Sequence, residues 1–98
     1  LDEVRTYAAP NPFAPSDEPV RIVYSLAGDA QTTIKIYDFA SRLVRTLVEN
    51  AHRSGQMRHA EVWDGRDDDG DPVANGVYLY RIELAKGKET FGKVVVRD

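Results

Sequence analysis

The sequence predicts an all-β domain, an antiparallel β-sandwich of about seven short strands, from three observations. Short runs alternate apolar and polar side chains with the period of two that a half-buried strand demands. Clusters of Gly, Asn, Asp and Pro punctuate those runs at intervals of roughly 8–12 residues. No stretch carries a convincing helical stripe.

In chain order, the first element is Ala9-Pro10-Asn11-Pro12-Phe13-Ala14-Pro15, which holds three of the five prolines. Proline lacks the N–H a ladder needs and favours extended backbone, so this stretch is expected to be an edge or crossover segment with Phe13 anchored in the core. Residues 20–26 alternate, with Val20, Ile22, Tyr24 and Leu26 on one side and Arg21, Val23 and Ser25 on the other. Beyond the turn at 27–30, residues 31–37 place Thr32, Ile34 and Ile36 opposite Thr33, Lys35 and Tyr37, and the two runs are expected to pair as a hairpin. Residues 43–48 also fit a helical stripe through Leu43, Val44, Leu47 and Val48, but the run is short, bounded by turn residues and β-branched, which favours a strand. A polar loop over 49–56 then leads to a strand over 57–63 that ends on Trp63, a side chain large enough to fill much of a small core. After an acidic loop, Asn75-Gly76 carries a type I′ turn signal and opens a strand over 77–84 with Tyr78, Tyr80, Ile82 and Leu84 on one face. Lys86-Gly87-Lys88 turns the chain into a last strand over 89–97. About seven strands of this length and spacing are the pattern of an immunoglobulin/fibronectin III-like sandwich.

Composition narrows the function. A chain of 98 residues fits one domain and buries roughly two-thirds of its unfolded surface, enough for a single modest core. Hydrophobic residues at 42% and charged residues at 30% are ordinary for a folded globular domain, and no apolar run is long enough for a membrane span. The formal net charge of −3, with acids bunched over 64–71, offers no basic stripe to a phosphate backbone, so nucleic acid is not an expected partner. With no Cys, disulfides and thiolate metal sites are excluded, while the compartment stays open. The chain starts at Leu1 without an initiator Met, a basic n-region or an apolar h-region, and is read as part of a larger protein.

Five blocks recur in order: Ala9-Pro10-Asn11-Pro12-Phe13, Ile34-Lys35-Ile36-Tyr37-Asp38, Arg42-Leu43-Val44-Arg45-Thr46-Leu47, Trp63-Asp64-Gly65-Arg66-Asp67 and Gly76-Val77-Tyr78-Leu79-Tyr80-Arg81-Ile82. Together they resemble the FlgD Ig-like domain family and the closely similar C-terminal domains that type IX secretion machinery uses as sorting signals, over about residues 7–96. The resemblance implies a Greek-key sandwich found at the C-termini of large secreted or surface enzymes of Bacteroidetes-like and related bacteria, and within the flagellar hook-capping protein. It further implies a non-catalytic domain whose partners are the other domains of its parent protein and the secretion machinery. Two positions depart from the family. Ala40-Ser41 stands where a turn Gly is usual, so a left-handed turn there is made at some cost or replaced, and the chain finishes on the acidic Asp98.

Candidate sites carry a structural and a functional reading. Asp64, Asp67, Asp68, Asp69 and Asp71, interleaved with Gly65 and Gly70, have the oxygen-rich composition that wraps a hard cation such as Ca²⁺. Their spacing does not fit an EF-hand, and the structural reading is a solvated hairpin loop whose acids serve turn geometry. Within it, Asp64 between Trp63 and Gly65 is placed to hold an Asx-type turn. Gly76 precedes Tyr78, which is placed for a tyrosine corner; as a period-2 pair, Tyr78 and Tyr80 are expected in the core rather than stacked on a sugar. Tyr37, on the polar face, is the candidate for a partner contact. His52 and His59 lack ligand or triad spacing and are expected at the surface, and no nucleophile elbow or phosphate loop occurs.

These readings converge on a secreted or cell-surface accessory module without enzyme activity and without a required cofactor, Ca²⁺ being the one ion to test. It would be the C-terminal Ig-like domain of an exported multidomain bacterial protein, acting as sorting signal, spacer or stabilising cap. Two further readings are the Ig-like part of a flagellar hook-capping protein and a carbohydrate- or protein-binding module appended to a hydrolase.

Overall fold

The computed structural model describes residues 4–98, which form seven strands and no helix: β1 (Arg5–Ala9), β2 (Val20–Ser25), β3 (Ala30–Tyr37), β4 (Leu43–Arg53), β5 (Arg58–Trp63), β6 (Gly76–Leu84) and β7 (Glu89–Val96). They build two antiparallel sheets, a three-stranded β1-β2-β5 and a four-stranded β4-β3-β6-β7, packed face to face as a sandwich. The period of two makes this possible, because one face of each strand is apolar and must be covered. Ile22, Tyr24 and Trp63 from the smaller sheet meet Ile34, Ile36, Tyr80, Ile82 and Val94 from the larger one, and all are essentially excluded from water. Fully burying an aliphatic or aromatic side chain of this kind is worth roughly 1.5–3 kcal/mol each.

Five sequence expectations are corrected. The runs that become β2 and β3 do not pair as a hairpin: β2 lies between β1 and β5, whereas β3 lies between β4 and β6. Both runs carry full apolar faces, which bury more completely facing each other across the sandwich than side by side in one sheet. The connection between them is held at the sandwich end, where the Gln56 N–H donates to the Leu26 carbonyl at 2.8 Å and the Gly55 N–H to Asp29 Oδ1 at 2.7 Å. The first strand runs into the start of the proline-rich stretch at Ala9; beyond it, residues 10–15 bridge β7 at Phe13 with Val96. β4 continues through the expected polar loop to Arg53, because residues 51–53 find ladder partners at Thr32, Gln31 and Ala30 while bulges absorb the irregular alternation. Asn75-Gly76 does not close a two-residue hairpin: Gly76 already pairs with Val96, and the chain reaches Asn75 from β5 in the opposite sheet. The acidic loop is likewise an inter-sheet connection rather than a hairpin loop. The turn at Lys86-Gly87-Lys88 does close the β6–β7 hairpin, with Gly87 at φ 90° and the Leu84 N–H donating to the Lys88 carbonyl at 2.8 Å.

Candidate functional site

The sequence blocks singled out above meet at one end of the sandwich. Phe13 and Trp63 pack as a tilted pair, centroids 5.6 Å apart at an interplanar angle of 57°, and Trp63 meets Tyr78 edge-on at 5.6 Å and 67°. Trp63 is the largest fully buried side chain, and its indole N–H finds the Arg66 carbonyl at 2.9 Å, so its polar atom is satisfied without water. The Tyr78 hydroxyl donates back to the Ala74 carbonyl at 2.7 Å, the geometry of a tyrosine corner. Burial, and then the nearby Asp38 charge, push its phenol up from the ordinary tyrosine value. Gly65 takes φ +80°, and a Cβ there would stand 2.7 Å from Pro15 Cγ, so both conformation and space call for glycine. Tyr80 is buried as expected, with its hydroxyl 2.8 Å from Thr6 Oγ1 and the Cβ-less Gly92 beside its ring.

The acidic loop is tied to itself and to β4. Asp64 Oδ1 accepts the Arg66 N–H at 3.0 Å, the expected Asx-type turn, and also the Arg45 guanidinium at 3.3 Å. Asp67 Oδ1 accepts the N–H groups of both Asp69 and Asp71 at 2.9 Å. Asp68 donates its N–H to the Val44 carbonyl at 3.0 Å and accepts the Thr46 N–H at 3.1 Å, so it continues the ladder past the outer edge of β4. A cleft of about 410 Å³ runs beside the loop, bordered by Asp38, Asp67, Asp68, Asp69 and Tyr78. Oxygens of Asp64, Asp67 and Asp68 are therefore committed to backbone amides, and among the described residues no three acidic or histidine side chains converge to hold a metal ion.

Tyr37 is half-buried on the outer face of the larger sheet, with the Arg81 guanidinium 5.3 Å from its ring centroid. His52 is exposed, whereas His59 departs from expectation: it faces the Tyr24 ring at 5.3 Å, with a ring nitrogen 2.7 Å from the Ser54 carbonyl.

Two arrangements escaped the sequence reading. The Asn11 side chain pairs with the outer edge of β7, donating to the Lys93 carbonyl at 2.8 Å and accepting the Val95 N–H at 2.9 Å; Phe13 continues the pairing through its own backbone at Val95 and Arg97. At the opposite side, the Tyr24 hydroxyl donates to Glu61 Oε2 at 2.7 Å and Arg53 Nε reaches the same oxygen at 2.9 Å, joining β2, β5 and β4. A polar tip on the core-facing Tyr24 was the one available signal. Its partners come from strands 29 and 37 residues away.

On sequence, the family model for the FlgD Ig-like domain matches residues 11–88. No match is found among curated proteins. Among solved structures, PorZ, an essential bacterial surface component of the type IX secretion system of Porphyromonas gingivalis, superimposes with a TM-score of 0.67 at 26% identity over 95% of this chain. Dimeric latent PorU from the same organism gives a TM-score of 0.69 at 25% identity over 98% of this chain. The match spans 11% of the PorZ chain and 9% of the PorU chain, so each resembles this protein in one small part of its length. With the family's match running from Asn11, whose side chain covers β7, to the turn that opens that strand, the chain belongs to the FlgD Ig-like domain family.

Proposed function

We propose that this chain is a non-catalytic accessory module of a larger exported bacterial protein and accompanies it to the cell surface. The observation that carries the reading is the similarity of nearly the whole chain to a small part of PorZ, a surface component of a type IX secretion system, and of PorU. The chemistry of the aromatic end of the sandwich agrees with an accessory role. Its aromatic residues close the core, and its carboxylates hold turns and cover a strand edge. Deleting the domain from its parent protein tests the reading in one strain. Surface delivery, scored by protease accessibility on whole cells, should fail while the parent's activity survives in lysates. Loss of activity with delivery intact would overturn it.

A further inference from the structure

The outward face of the β1-β2-β5 sheet differs in chemistry from the rest of the molecule. Its strand register sets Tyr7 against Val23 in the middle of the sheet, with Val62 and Arg21 paired toward one end and Arg5 and Arg58 on a common row toward the other. Tyr7 and Val62 are 53% and 52% exposed, although both sit on ordered strands. The guanidinium groups of Arg5, Arg21 and Arg58 make no hydrogen bond or ion pair among the described residues. Strand spacing puts the three arginines roughly 10–15 Å apart around the apolar centre.

None of the nine outward positions on these strands is Lys, Asp or Glu, and all four lysines of the chain lie on β3, β7 or the turn between β6 and β7. The outward face of the other sheet shows the contrast: there Arg81 is neutralised within the chain, 3.8 Å from both Glu83 and Glu89. A domain of net charge −3 thus concentrates three unneutralised arginines on one face around exposed apolar side chains. Enrichment in Arg and aromatic residues with depletion of Lys and acids is the composition of a protein–protein interface. Unpaired arginines at its rim select a partner of opposite sign.

We propose that this face docks an acidic protein surface bearing apolar side chains at its centre, with the exposed Tyr7 and Val62 at the middle of the contact, flanking the buried Val23, and Arg5, Arg21 and Arg58 engaging carboxylates around it. The proposal goes beyond the accessory role and does not depend on export, because the binding is measured on the purified 98-residue chain. The probe is a Glu–Tyr copolymer, which offers carboxylates and rings together, titrated into isotopically labelled protein and followed by amide chemical shifts. Shifts should cluster on β1, β2 and β5, and the double variant Arg21→Gln/Arg58→Gln should weaken binding by about tenfold, or about 1.4 kcal/mol, while keeping its melting temperature. Lys35→Gln/Lys93→Gln, on the other sheet, should leave it unchanged. Shifts on β3, β4, β6 and β7, equal weakening by the lysine variant, or no saturable binding would overturn the proposal. So would tighter binding at this face by heparin or by phosphatidylglycerol vesicles, or concentration-dependent shifts there without any probe, which would assign it to a polysaccharide, a membrane or a second copy.

Discussion

Ser41 holds φ 67° in the turn between β3 and β4, a left-handed conformation that costs an L-residue about 1–2 kcal/mol. The sequence shows that Ala40-Ser41 replaces a usual glycine, but not what holds the turn. That part is Asp38: its Oδ1 accepts the Ala40 and Arg42 N–H groups and its Oδ2 accepts Arg42 Nε, all at 2.9 Å. The Arg42 backbone hydrogen bond is the main influence holding the Asp38 carboxyl below its ordinary value, so its support is complete above the normal aspartate range and is lost as pH falls from there toward the lowered folded value. Ser41→Gly removes the strain but loosens the unfolded chain, a cost of about 0.5–1 kcal/mol. The net effect should be a stabilisation of about 0.5 kcal/mol, seen as a rise of a few degrees in a thermal melt. A fall would mean that the serine side chain contributes more than the turn geometry suggests.

At the scale of elements, the feature that organises this end of the molecule is the treatment of sheet edges. An edge strand presents unpaired N–H and C=O groups that template unwanted pairing. Here β7 is covered by the Asn11 amide and the Phe13 backbone, and β4 by Asp68, so both edges of the larger sheet are blocked over part of their length. The proline-rich segment and the acidic loop share one structural task, which neither composition nor spacing reveals. Asn11→Ala should lower stability by about 1 kcal/mol for two exposed hydrogen bonds and lower the temperature at which light scattering begins. An unchanged onset of scattering together with an unchanged melt would show that the amide is not guarding the edge.

Across the whole molecule, tyrosine hydroxyls contribute polar ties between the layers: Tyr80 to Thr6, from β6 to β1, and Tyr24 to Glu61 and Arg53, along the flank where β2 and β5 meet β4. Burial first, and then the Glu61 hydrogen bond, push the Tyr24 phenol well above the tyrosine range, and burial raises Tyr80 as well, partly offset by Thr6. A raised phenol keeps its proton in the folded state after the unfolded chain has lost it, so its contribution is complete below about pH 10 and declines as pH rises from there toward the folded value. Melting temperature should therefore hold to about pH 9.5 and fall steeply above pH 10. Tyr24→Phe should be less stable at neutral pH but flatten that fall, and an equally steep decline in the variant would remove Tyr24 as its cause.

The sequence by itself determined which residues point inward, because the period of two assigns each side chain of a strand to a face and the apolar face must be buried. It also marked Phe13, Trp63, Tyr78 and Tyr80 as core, and Asp64 as a turn-holder, from residue type and local spacing alone. Only the tertiary structure decided which strands are neighbours, since face assignment says nothing about pairing: β2 and β3 carry similar alternation and lie in opposite sheets. For the same reason, the cover over β7, the Tyr24–Glu61–Arg53 tie and the grouping of Arg5, Arg21 and Arg58 on one face appeared only in the fold. Each joins residues far apart along the chain, which only the pairing of strands brings together.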